Sequence, residues 1–462
     1  MRMKTIIRSV LVFLLAAALL SGAALPCLAD GEEAPEIDAR AAVMMDAASG
    51  NVLYDLNGET PLYAAGLTVM MTALLAAEAV ERGEIDYSDT VTASGASHYD
   101  ITEDASIQNI VPGEDMPLRD LLACALIGGA SEACNIIAEY VGGSISAFIR
   151  EMNARAEELG CTNTQFVNAH GLPNDNNFSS AYDMALIAAQ FVQHEELVEL
   201  SNTVTKEIAA TNVSGARKLT SNNYIIRSDY TRYYYSYACG IKASYTDDAG
   251  FCLASSMKTD GSYVVSIVLG CRVVEADNGF YDIQSFIQTR KLFQWFNARY
   301  SLRDIVSTIE PIVEIPVQLA EGTDTVVCCA SKGLKLFLPN DLDIGKEYRR
   351  EVTIYSQKEG AQPLTAPVAQ GQVLGELTVY GESGGVYGPF PLVANTDVAV
   401  SRVELMRQRL GNLLHSSLFR TFFWGIVAIF VLYLAFVIRY RILRIRERRA
   451  RRRERQAASS RR

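Results

Sequence analysis

Residues 421–438 form an unbroken apolar run bracketed by Arg420 and Arg439. At ~1.5 Å of helical rise per residue, such a run reaches across most of a bilayer's hydrocarbon. Arg439, Arg441, Arg444, Arg446, Arg448, Arg449, Arg451, Arg452 and Arg453 follow it, and that excess of cations predicts a cytoplasmic C-terminus. The chain is therefore expected to carry a transmembrane helix at 420–439 and an arginine-rich tail at 440–462, with its body on the outer face. The beginning agrees: Arg2, Lys4 and Arg8 precede an apolar run over 9–20, and Cys27-Leu28-Ala29 offers small residues for cleavage. This predicts a secretory signal peptide over 1–29, removed after Ala29. An uncleaved N-terminal anchor is the alternative, and Pro26 argues against lipidation of Cys27.

With 462 residues, the chain has room for two folded units besides these segments. The formal charge is −11, although the last 24 residues carry roughly ten net positive charges, so the body is strongly acidic. An acidic body argues against nucleic acid as a partner. Of nine cysteines, Cys27 leaves with the signal. Disulfides are compatible with export, yet Cys124 and Cys134 lie in apolar helical sequence and Cys252 in a strand-like run, where buried thiols are common. His98, His170, His194 and His415 are too scattered to suggest a metal. No cofactor is expected.

After an acidic linker over 30–37, Ala41 to Met45 and Val52 to Tyr54 read as two strands joined by a turn containing Gly50. Apolar residues recur at helical spacing in Leu67, Met70, Met71, Leu74, Leu75 and Ala77, and again in Leu121, Leu122, Ala125, Ile136, Ile137 and Tyr140. Strand patterns return at 251–256 and 262–269 around Lys258-Thr259-Asp260-Gly261, and a helical pattern covers 284–300. Helices mixed with hairpins predict an α+β domain with an antiparallel sheet. Short β-branched runs at 313–317, 325–329 and 351–355 predict a small β-rich domain over 309–400. Over 402–419, Val403, Met406, Leu410, Leu413, Leu414 and Leu418 share one helical face, with Arg402, Arg407 and Arg409 elsewhere. That juxtamembrane amphipathic helix fits either the membrane surface or a plain linker.

Several stretches together resemble the low-molecular-mass penicillin-binding proteins that act as serine D-Ala-D-Ala carboxypeptidases, the S11 peptidases. They are Ala42-Val43-Met44-Met45-Asp46 with Gly50 and Leu53-Tyr54; Asn163-Thr164-Gln165-Phe166-Val167-Asn168-Ala169-His170-Gly171-Leu172-Pro173; Ala181-Tyr182-Asp183-Met184-Ala185; Arg217-Lys218-Leu219-Thr220; and Ala249-Gly250-Phe251-Cys252-Leu253. The resemblance covers 38–300 and implies a β-lactamase/transpeptidase-like domain there, an antiparallel sheet with helices.

That family uses a Ser-x-x-Lys motif at the head of a buried helix, where residues three apart share a face and the amine activates the hydroxyl. The matching stretch places Gly66 at the nucleophile and Val69 at the base. The Ser-x-Asn motif matches Gly129-Ala130-Ser131, and the Lys-Thr-Gly motif matches Lys242-Ala243-Ser244. Only Lys242 keeps the family's residue. Gly66 and Gly129 also remove side chains from the expected cleft, although glycine within a helix costs about 1 kcal/mol relative to alanine. Thr68, Thr72, Ser131 and Ser244 are the hydroxyls near enough to be considered as substitutes. Lys242, with Ser244 beside it, is the expected binding residue for a peptide carboxylate, the alternative being a solvated edge-strand lysine.

The resemblance thus implies an extracytoplasmic, membrane-anchored carboxypeptidase-like protein without intact chemistry, binding peptidoglycan stem peptides or a cell-wall synthesis protein. An active or weakly active serine D-Ala-D-Ala carboxypeptidase is the alternative. A third is a structural membrane protein that makes its contacts through the β-rich domain.

Overall fold

The computed structural model describes residues 34–459 except 104, 277, 278 and 383, with backbone alone beyond 449. The expected signal peptide and most of the linker over 30–37 lie outside the described residues. Two compact units are present: residues up to Ile305 with Leu334–Arg349 and Gly381–Gly385, and the remainder.

The first unit is organised by a five-stranded antiparallel sheet. Its strands are β1 (Ala41–Asp46), β2 (Val52–Leu56), β3 (Ala238–Thr246), β4 (Gly250–Thr259) and β5 (Ser262–Cys271), in the order β2-β1-β5-β4-β3. The expected turn between β4 and β5 is a two-residue connection in which Asp260 (φ 50°) and Gly261 (φ 83°) are both left-handed. That is the hairpin geometry an Asp-Gly pair favours, because its twist matches the strands it joins.

Alternation along β1 sorts the side chains to two cores. Ala41, Val43 and Met45 belong to one apolar cluster and Ala42 and Met44 to another, so the strand reads as a continuous apolar run because both faces of its sheet are covered. On the first face lie α1 (Val69–Glu81), α2 (Leu118–Leu126), α3 (Ser131–Gly142), α4 (Ile145–Glu158), α5 (Ala181–Phe191) and α6 (Glu195–Ser201). On the other lies α7 (Gln284–Arg299), which contributes Phe286, Leu292, Phe293 and Phe296. α1 is buried nearly all round, as expected of a central helix rather than an amphipathic surface one.

The units do not divide at a single point near residue 309. Leu334–Pro339 pairs with Tyr300–Val306, and Phe337 meets Phe296 edge-on at 5.1 Å between ring centroids. Burying those rings draws 334–349 into the first unit. The second unit carries the expected β-rich fold, a five-stranded sheet in the order Val313–Pro316, Thr325–Ala330, Val386–Ala394, Val373–Gly381, Tyr348–Ile354.

Beyond it, α8 (Arg402–His415) exposes Val403, Met406, Leu410, Leu413 and Leu414. Ser416 then turns the chain: its hydroxyl donates to the Leu413 carbonyl (2.8 Å) and accepts from the Phe419 N–H (3.1 Å). α9 (Ser417–Ser459) follows, and within it Ser417–Arg449 is long and apolar enough to cross a membrane, with a mean hydropathy of 2.5 over its most apolar window. All eight cysteines among the described residues are free.

Leu74 sits in α1 with no exposed surface. Replacing it with alanine removes buried methyl groups and leaves a cavity, so Leu74→Ala is expected to lower unfolding stability by about 3 kcal/mol, read as a shifted midpoint with unchanged slope in urea titrations.

Candidate functional site

Three separate stretches converge where the sheet meets the helices: the 3-10 turn Ala65–Thr68 that leads into α1, the loop 127–130 between α2 and α3, and the edge strand β3. The turn is tightly set. Ala65 is left-handed (φ 50°), a conformation disfavoured for residues with a Cβ. Its carbonyl packs so closely on Gly171 that a Cβ there would lie 2.1 Å from the oxygen. Gly66 then directs its N–H to Ser244 Oγ at 2.8 Å. Val69 is buried in the apolar core. Thr72 is fully buried, and its hydroxyl donates to the Ala169 carbonyl at 2.6 Å.

The second wall is held by a strap of residues 106–114. Gly129 has φ 67°, which glycine adopts freely. The Ser131 N–H donates to the Ser106 carbonyl (2.9 Å), while the Ser106 hydroxyl and the Gln108 amide both donate to the Gly128 carbonyl (3.2 Å each). Glu132, fully buried at the head of α3, accepts the Gln108 N–H at 2.6 Å and the Ile110 N–H at 3.3 Å. At the strap's far end Arg217 spans both Glu114 oxygens (2.6 and 2.8 Å) and also donates to the Gln108 carbonyl. Burial pushes the Glu114 pKa up, but hydrogen bonds from Arg217, then Thr211 and the Val111 N–H, together outweigh it and hold the carboxyl below its ordinary pKa.

Lys242 lies two residues before Ser244 on β3, hence on the same face of the sheet. Although β3 is an edge strand, only 4 % of Lys242 is exposed. Its ammonium donates to the carbonyls of Ala125 (2.8 Å) and Leu126 (2.9 Å). These belong to the last turn of α2, whose carbonyls have no partner within the helix and which carries the negative end of its dipole. A Cβ on Gly129 would stand 3.8 Å from Lys242 Nζ, an ordinary contact, which places the loop backbone at 129 beside the ammonium. Burial pushes the Lys242 pKa down to about 8.

The six positions that the resemblance singles out, Gly66, Val69, Gly129, Ser131, Lys242 and Ser244, lie on the three stretches that converge here. Chemically, residue 66 has no hydroxyl, residue 69 no amine, and the surviving cation is occupied by backbone oxygens rather than facing a ligand. Sequence reasoning did not anticipate the strap, or His170 as part of the surroundings. His170 Nδ1 accepts the Leu172 N–H (3.2 Å), and burial lowers its pKa to about 4, which keeps it neutral. Its place in the His-Gly-Leu-Pro run was the available signal, since Gly171 beside it is needed under Ala65. Among the described residues no group of three or more His, Cys, Asp or Glu side chains is placed to hold a metal.

The sequence profile of the D-alanyl-D-alanine carboxypeptidase family matches residues 29–273, more than half of the chain. The chain belongs to that family. It is 26 % identical over 386 residues to the D-alanyl-D-alanine carboxypeptidase DacF of Bacillus subtilis, covering 83 % of this chain and 92 % of that one. It is 29 % identical over 351 residues to DacC of Escherichia coli, covering 75 % and 80 %. Among solved structures it is similar to penicillin-binding protein 5 of Haemophilus influenzae, with a TM-score of 0.61, 26 % identity and coverage of 80 % and 100 %. A peptidoglycan synthesis regulatory factor of Streptococcus pneumoniae gives a TM-score of 0.63, 25 % identity and coverage of 79 % and 100 %. The first unit thus has the transpeptidase-like fold of a D-Ala-D-Ala carboxypeptidase.

A lysine whose folded pKa, about 8, lies below its ordinary 10.5 stays protonated in the unfolded chain after the folded chain has released its proton. Stability from this group therefore rises with pH between those two values. The unfolding free energy of the wild type, measured against Lys242→Met in denaturant titrations, is expected to increase from pH 8 to pH 10. An unchanged difference would mean that the ammonium is not desolvated.

Proposed function

We propose that this chain is a membrane-anchored, extracytoplasmic carboxypeptidase-like protein that binds D-alanyl stem peptides of peptidoglycan, or a wall-synthesis protein, without cleaving them. The observation that carries this reading is that, among the described residues, neither the Ser244 nor the Thr72 hydroxyl is hydrogen-bonded to a base. A serine nucleophile needs a proton acceptor within about 3 Å and donors for the developing oxyanion. Gly66 and Val69 supply neither group, Ser244 Oγ accepts from the Gly66 N–H, Thr72 is committed to the Ala169 carbonyl, and the Lys242 ammonium is held by Ala125 and Leu126. In serine hydrolases, loss of one member of the catalytic unit lowers kcat by about 10⁴ or more.

Placement outside the membrane rests on the apolar span within Ser417–Arg449 and on the arginines that follow it, which favour a cytoplasmic C-terminus. The family relation supports a wall peptide as ligand, since the relatives' names specify D-alanyl-D-alanine.

β-Lactams mark active family members by acylating the nucleophilic serine. The full chain, purified in detergent and incubated with a fluorescent penicillin beside an active carboxypeptidase, is expected to show no covalent mass increase. A stable adduct mapped to one serine or threonine would refute the inactive reading and identify a substitute nucleophile.

A further inference from the structure

Residue 66 is glycine although its backbone does not require it. Gly66 has no left-handed φ, unlike Gly129 or Gly171. It lies in the turn leading into a helix, where alanine is ordinarily the better residue. What meets a side chain at this position is one residue from a distant part of the chain. A Cβ built on Gly66 would lie 2.7 Å from Ser244 Oγ and 3.3 Å from Ser244 Cβ, and the next atom, the His170 carbonyl oxygen, is 3.9 Å away. The same Ser244 hydroxyl accepts the Gly66 N–H at 2.8 Å. It therefore fills the space beside residue 66 and also occupies the backbone donor exposed there.

We propose that Ser244 is a plug: it decides access to the corner of the cleft beside Gly66, excluding any side chain on residue 66 and withholding the Gly66 N–H from a ligand's oxygen. The two residues are 178 positions apart, so nothing local links them and the coupling is steric and through one hydrogen bond. Rotating Ser244 away relieves the 2.7 Å approach but breaks that bond and leaves the 3.3 Å approach of its Cβ. An oxygen on an incoming ligand, such as a peptide carbonyl or carboxylate, has to compete with Oγ for the N–H. Residue 244 is thus the specificity-determining position for that corner, and any ligand of the wild-type cleft binds without using the Gly66 N–H. The ligand part of this inference rests on the proposed binding function, whereas the steric part does not.

Two measurements on the full chain in detergent test the proposal, and they fail independently. The first is a cycle of melting temperatures for wild type, Gly66→Ala, Ser244→Gly and the double variant. Gly66→Ala is expected to lower the melting temperature by about 3 °C when Ser244 is present and to leave it unchanged or raised when residue 244 is glycine. Equal effects in the two backgrounds would overturn the plug. The second is calorimetric titration of diacetyl-L-lysyl-D-alanyl-D-alanine into wild type and Ser244→Ala, which keeps the Cβ and removes the hydroxyl. Affinity is expected to rise at least threefold in the variant; equal or weaker binding would overturn the claim that the hydroxyl withholds the N–H. If the peptide binds neither protein, the binding function proposed above fails, and the melting cycle still judges the plug.

Discussion

The Lys242 ammonium, buried against the last carbonyls of α2, is the contact on which the arrangement of the cleft depends. It joins the free edge of the main sheet to the helical layer. An ammonium removed from water is tolerated only where hydrogen bonds replace its hydration, and the unsatisfied carbonyls of a helix end are suited to that. The attachment fixes β3 relative to α2 and the following loop, and with β3 it fixes Ser244, which in turn meets the head of α1 through the Gly66 N–H. A cation that could have faced a ligand instead holds the scaffold together.

This reallocation separates fold from chemistry. The fold is that of the D-alanyl-D-alanine carboxypeptidase family, whose resemblance implies a hydroxyl and an amine at the head of α1, where this chain has Gly66 and Val69. The packing that surrounds the turn is present here: Gly171 lies under the Ala65 carbonyl, and the Arg217–Glu114 pair and Glu132 fasten the strap over residues 106–114. Left-handed alanine at residue 65 is a locally unfavourable conformation, and it persists because neighbouring contacts over-determine it. Maintaining that framework without the reacting groups is the physical basis for the proposal of recognition rather than hydrolysis.

Much of the fold was legible in the sequence because it depends on local rules. The Asp260-Gly261 turn follows from the backbone freedom of those two residues, α1 and α7 from apolar recurrence at helical spacing, and the membrane-length helix from its unbroken apolar run. The three stretches of the candidate site were located through the family resemblance. What the sequence did not disclose were contacts between residues far apart in the chain. The burial of Lys242 depends on carbonyls more than a hundred positions away, and the Gly66–Ser244 approach spans a still larger separation. The return of 334–349 to the first unit, where Phe337 meets Phe296, was hidden for the same reason, since no composition shift marks that pairing.

The central claim is recognition without turnover, and the most direct measurement is D-alanine release from diacetyl-L-lysyl-D-alanyl-D-alanine by the full chain, with peptide occupancy followed calorimetrically in the same samples. The account predicts saturable peptide binding with no D-alanine released above the uncatalysed background at protein concentrations comparable to the peptide. Release that scales with protein concentration and is abolished by a single serine or threonine substitution would contradict it.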